Sequence, residues 1–114
     1  MIAPTRVNVT FEDHIAHVRL VRSDKMNAVD QAMIDALIAA GNEGAASDAR
    51  VCIISGEGKG FCAGIDIGGL GAMIGKDPND LLMPRTHGDG TTNQWHEVAI
   101  VWTRVPVPVI AAIH

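Results

Sequence analysis

The chain has 114 residues, room for one domain at most, and 47% of them are hydrophobic. Net charge is −4 and the nine Lys and Arg residues are scattered, so no basic stripe offers itself to a nucleic-acid backbone. Charged residues at Arg6, Glu12, Asp13 and Arg19 break up the start of the chain, and the most apolar stretch, Val105 to Ile113, is too short to span a bilayer. These features predict a cytoplasmic protein without membrane contact. In that compartment Cys52 and Cys62, which form no C-x-x-C pair, are expected to be reduced and largely buried thiols.

Val7, Val9 and Phe11 alternate with Asn8, Thr10 and Glu12, the period of a strand with one buried face. After a polar break at Glu12-Asp13-His14, the run Ile15, Ala16, Val18, Leu20 and Val21 completes a predicted β-hairpin. Arg22 to Asn27 is polar and turn-like. Asp30 is placed to cap a helix, whose apolar face carries Met33, Ile34, Leu37 and Ile38. Gly41 and Gly44 weaken the end of that helix, each by about 1 kcal/mol relative to Ala. Val51 to Ile54 then reads as a buried strand, giving a strand–helix–strand crossover. Gly68 to Asp89 is Gly-rich and reads as a long loop with short helical pieces. Trp95, Val98, Ala99 and Trp102 mark the apolar face of another helix, which Pro106 stops. Val107 to Ile113 reads as a further buried strand.

The glycine-rich segment Gly56 to Asp66 carries the chemical interest. Gly58 to Ala63 fits G-x-G-x-x-A after a strand, but Gly64, Gly68, Gly69 and Gly71 argue against the helix a dinucleotide site needs. Two readings stay open on physical grounds. The glycines relieve crowding in a turn, or they let a ligand approach the main chain at a backbone anion hole around Ile65 and Asp66.

A resemblance separates them. Lys25-Met26-Asn27-Ala28-Val29, the segment Gly58-Lys59-Gly60-Phe61-Cys62-Ala63-Gly64-Ile65-Asp66-Ile67, and Val105 to His114 resemble, in order and spacing, three segments of the crotonase superfamily's enoyl-CoA hydratase/isomerase family. The central segment is similar to the family's G-x-x-F-C-A-G-x-D-L signature. The resemblance implies an α/β fold, a crotonase-like ββα superhelix that is incomplete in this chain, 1–114 being the amino-terminal part of one domain. It implies binding of acyl-CoA thioesters and stabilisation of a thioester enolate, with coenzyme A as part of the substrate rather than a cofactor. Assembly as a homotrimer or hexamer of the complete protein is implied as well.

Carried over residue by residue, the resemblance makes Ile65 the donor of one oxyanion-hole N–H. It places coenzyme A contacts at Met26, Ala28, Ala63, Asp66, Ile67 and Gly68. Asp66 reads more simply as a helix cap than as a catalyst, and Lys25 as a solvated lysine. The family's second N–H donor and its two hydratase glutamates map beyond His114, so these 114 residues alone are expected to be inactive. Glu12, Glu43, Glu57 and Glu97 match neither glutamate. Trp95-His96 resembles a pair in the family's aroyl-CoA dehalogenase branch, where the histidine is a base. His96 is accordingly an alternative catalytic residue, expected to line the same cleft as Ile65, against the simpler reading of a surface histidine. A truncated, non-catalytic coenzyme A-binding fragment is the other alternative. His14, His17 and His87 show no paired ligand spacing, and no metal site is expected.

Overall fold

A computed structural model of the chain describes residues 5–71 and 73–114. Strands β1 (Val7–Glu12) and β2 (Ile15–Leu20) pair antiparallel, Val7 opposite Leu20. Their two-residue turn is Asp13-His14, both at positive φ (52° and 63°), the twist that matches two hairpin strands. Helix α1 (Gln31–Ala46) then crosses to β3 (Val51–Gly56), which lies parallel to β2 with Ile15 opposite Val51. Helices α2 (Ile67–Gly71) and α3 (Pro78–Leu82) are short. Helix α4 (Gln94–Ile100) tightens into a 3-10 turn at Val101–Arg104 and leads to β4 (Val109–Ala111), parallel to β3. The sheet order is β1-β2-β3-β4.

The period-two pattern decides which sheet face is covered. Ala16, Val18 and Cys52 point to one side and pack with Ala40, Ala49 and Val105, with Val7 and Val9 at the margin. Asp30 caps α1 as expected, its side chain accepting the Met33 N–H at 2.9 Å. Met33, Ile34 and Ile38 are buried on that helix.

Helix α1 runs through Gly41 and Gly44 and ends at Ala46. A Cβ at Gly41 would lie 2.6 Å from a Val101 methyl, so this glycine admits the neighbouring 3-10 turn. The expected apolar face of α4 is corrected: the buried residues along α4 and its two ends are Asn93, Glu97 and Val101, while Trp95, Val98 and Trp102 are half-buried and Ala99 is exposed. Glu97 is tolerated there because the Thr92 hydroxyl donates to it at 3.1 Å and Arg104 pairs with it. The run from Val107 to Ile113 contains only the short β4, at the sheet edge, with Ile110 52% and Ile113 74% exposed. Among the described residues no helix is long and apolar enough to cross a membrane.

Candidate active site

The segment after β3 folds back against the turn that follows β2. Met26 and Asn27 both adopt the left-handed conformation (φ 53° and 57°). This turns their backbone toward the glycine-rich loop, where the Ala63 N–H donates to the Met26 carbonyl at 2.9 Å. One step on, Val29 and Ile65 form a parallel bridge. The Val29 N–H donates to the Gly64 carbonyl at 2.7 Å and the Asp66 N–H to the Val29 carbonyl at 2.9 Å. Gly64 sits at φ +95° with open space where a Cβ would be, so conformation and not crowding calls for glycine.

In that arrangement the amides flanking Ile65 are engaged and its own is not. Ala63 and Asp66 donate to carbonyls, and Gly64 donates to the Cys62 sulfur at 3.4 Å. The Ile65 N–H has no acceptor among the described residues, and the residue is 53% exposed. The Cys62 thiol in turn donates to the Asn27 carbonyl at 3.2 Å. Cys62 is half-buried and Cys52 buried, and both are free thiols.

Ile65 lies in the wall of two grooves. One, of about 420 Å³, is lined by Lys25, Met26, Ala28, Ala63, Asp66 and Ile67 together with Ile65. It gathers five of the six positions carried over as substrate contacts. Gly68 is not in its lining; its N–H donates to Asp66 Oδ1 at 2.8 Å. The other groove, of about 220 Å³, is largely apolar, with Val29, Met73, Leu81 and Trp95 facing it and Lys76 at its side. An adjoining hollow of about 300 Å³ shares Ile65, Met73, Leu81 and Trp95. The Trp95 indole N–H is buried without an acceptor among the described residues.

His96 does not join this cavity. It is exposed, and Trp95, one residue earlier on α4, supplies the side chain that faces Ile65. Successive helix positions differ by about 100°, and of the pair only Trp95 reaches the groove wall. The Asn93 side chain caps α4 by accepting the His96 backbone N–H at 3.0 Å. None of Glu12, Glu43, Glu57 and Glu97 lines the grooves beside Ile65. Among the described residues no group of three His, Cys, Asp or Glu side chains converges to hold a metal.

Two residues that the sequence reading passed over hold the site together. Asn27 is fully buried and its amide donates to the Glu57, Gly60 and Phe61 carbonyls at 2.9, 3.1 and 3.0 Å. Its Oδ1 accepts the Arg22 N–H at 2.8 Å. The Arg22 guanidinium donates to Asp66 Oδ2 at 2.7 Å and to the Ala28 carbonyl at 2.9 Å, and lies 3.5 Å from Asp30. Asp30 is also paired with Arg6 at 2.9 Å.

These pairings set carboxyl titration. The Arg22 hydrogen bond, helped by the Gly68 N–H, holds Asp66 below the usual carboxylate range. Burial opposes ionisation of Asp30 and of Glu97, but hydrogen bonds outweigh it and both are also held low. All three have folded pKa values below their unfolded ones. Their stabilisation is therefore complete above the unfolded carboxyl range, at about pH 4, and is lost as pH falls through the folded values. The urea midpoint is expected to hold from neutrality to about pH 5 and to decline below about pH 4. A midpoint that rises on acidification there would contradict these pairings.

Comparison with known proteins accords with this geometry. A family profile described as enoyl-CoA hydratase/isomerase matches residues 10–114. The mitochondrial Delta(3,5)-Delta(2,4)-dienoyl-CoA isomerase of Rattus norvegicus is 31% identical over 105 residues, which are 90% of this chain and 32% of that protein. A protein of Mycobacterium leprae (strain TN) described as an enoyl-CoA hydratase is 28% identical over 95% of this chain and 39% of its own length. A crystal structure described as an enoyl-CoA hydratase from Streptomyces coelicolor A3(2) superposes with a TM-score of 0.78 and 31% identity, covering 99% of this chain and 41% of that one. The chain thus spans about a third of the rat relative and about two fifths of the bacterial structure. On its sequence and its fold, the chain belongs to the enoyl-CoA hydratase/isomerase family.

Proposed function

We propose that this chain supplies the coenzyme A groove and one backbone oxyanion donor of an enzyme that hydrates or isomerises enoyl-CoA thioesters. The observation that carries the proposal is the Ile65 N–H, without an acceptor among the described residues, at the meeting of two grooves. A thioester carbonyl at that N–H places pantetheine and nucleotide along Met26, Ala28, Ala63, Asp66 and Ile67, with Gly68 shaping Asp66. The acyl chain then lies among Val29, Met73, Leu81 and Trp95. As the carbonyl becomes an enolate, its oxygen gains charge, and a dipole already fixed in place stabilises that charge without reorganising. Proton transfer to or from carbon falls to carboxylates other than the four glutamates excluded above. Coenzyme A is substrate here, and no separate cofactor is invoked. Assembly as a homotrimer or hexamer and a cytoplasmic location belong to the same proposal and rest on the resemblance.

The test is a steady-state assay of the full-length protein with crotonyl-CoA and with a 3,5-dienoyl-CoA, the latter chosen because a relative is named for it. Turnover of either is the expected result. Tight thioester binding without turnover would leave a binding module, and no binding at all would end the proposal. In the same assay His96→Gln is expected to change turnover by less than about twofold, because the ring is exposed away from Ile65. A loss of about a hundredfold would restore the dehalogenase-like reading.

A further inference from the structure

We infer that Arg22 is the positioning residue of the Ile65 N–H, and that its charge shields the oxygen bound there from Asp66. The inference rests on the reading of Ile65 just given. The Val29–Ile65 bridge has two arms, and Arg22 holds both. Its guanidinium meets the carbonyl of Ala28, the residue before Val29, at 2.9 Å. It meets the carboxylate of Asp66, the residue after Ile65, at 2.7 Å. Arg22 is itself anchored by its backbone N–H to the buried Asn27, and its side chain is only 11% exposed. Both of these bonds come from Nη1, while Nη2 lies 3.5 Å from Asp30, so the planar guanidinium joins three groups at fixed angles, a geometry that a lysine ammonium on a flexible stem does not fix.

Electrostatics adds a second role. Asp66 places a carboxylate one residue from the amide that would face a developing negative charge. Left bare, that carboxylate would oppose the enolate. The Arg22 pair offsets it, while the Gly68 N–H in the first turn of α2 keeps the carboxylate in place. Asp30, the other acidic group beside Arg22, has Arg6 as a second partner and does not depend on Arg22 for its neutralisation.

The experiment uses the full-length protein and a cinnamoyl-CoA thioester, whose absorption moves to the red as its carbonyl is polarised. Crotonyl-CoA provides kcat and KM, and thermal melts confirm folding. Arg22→Gln is expected to abolish the red shift and to lower kcat by about ten- to a hundredfold, with KM changed less than about threefold. Adding Asp66→Asn to that variant is expected to recover kcat by at least about threefold, since the uncompensated charge is gone. A residue that merely braced the fold would give no such recovery, and its absence overturns the shielding role. A full red shift and normal kcat in Arg22→Gln overturn the inference altogether. If Arg22→Gln does not fold, Arg22→Lys carries the test, because it keeps the charge and loses the fork. It should lower kcat at unchanged KM, and a normal kcat sinks the positioning role. The two readings fail differently. A folded wild-type protein that neither shifts the probe nor turns over sinks the Ile65 assignment itself. A normal wild-type shift with indifferent Arg22 variants sinks only the present inference.

Discussion

Replacing the Gly64–Ile65 amide by an ester in the full-length protein is expected to lower turnover of its acyl-CoA substrate by about a hundred- to a thousandfold. The substitution deletes one N–H and leaves every side chain in place. Because that N–H has no acceptor within the described chain, its loss leaves no internal carbonyl unpaired. The ester carbonyl of Gly64 is a weaker acceptor for the Val29 N–H at 2.7 Å, so the melting temperature should fall modestly while kcat falls far more, and KM should change little if the contact matters mainly in the transition state. The neighbouring ester at Asp66 is the control. It removes the N–H that bonds to the Val29 carbonyl at 2.9 Å and should act on stability first. Full activity of the Ile65 ester would remove the anion hole from this loop.

The second large effect concerns Asn27. The variant Asn27→Asp changes one NH2 for one oxygen and keeps the shape, yet it turns a buried donor to three carbonyls into a charge facing them. Each buried group left unpaired costs about 1–3 kcal/mol, and a buried charge adds to that. A loss of about 3–5 kcal/mol is expected, in the range of the most damaging single substitutions. Asn27→Ala should cost a similar amount and should also resist the left-handed backbone that Asn tolerates at φ 57°. Urea denaturation reads both. A cost below about 1 kcal/mol would mean that water replaces the side chain and that the network is not structural.

The elements that were legible in the sequence are those whose side chains announce their surroundings. The hairpin is written in the alternation from Val7 to Leu20, and α1 in its Asp30 cap and the Met33, Ile34, Ile38 stripe. Five positions that the resemblance gave as substrate contacts, Met26, Ala28, Ala63, Asp66 and Ile67, line one groove. Residues that act through the backbone of others were not legible. Arg22 and Asn27 sit in a polar run that looks like any solvated turn, and only the fold shows that their partners lie 30 to 44 residues away. Glu97 belongs by type on an outer face, and its burial depends on Thr92 and Arg104 arriving from either side. Trp95 and His96 were read as a pair, but helical rotation separates neighbours that the sequence joins. Gly41 read only as a weak point near the helix end, because the Val101 methyl that needs its missing Cβ is invisible from within the helix. Strand β4 is the last in the order of the sheet, and Ile110 is 52% exposed there.

Position 65 also bears on how such a protein diversifies. On the proposed reading its chemistry resides in a main-chain N–H, a group every amino acid but proline carries. Its side chain, meanwhile, forms wall in both grooves. Mutation can therefore reshape the fit of the thioester at this point while the reacting donor is inherited unchanged. Change in what is bound and preservation of how it reacts are separable here within a single codon.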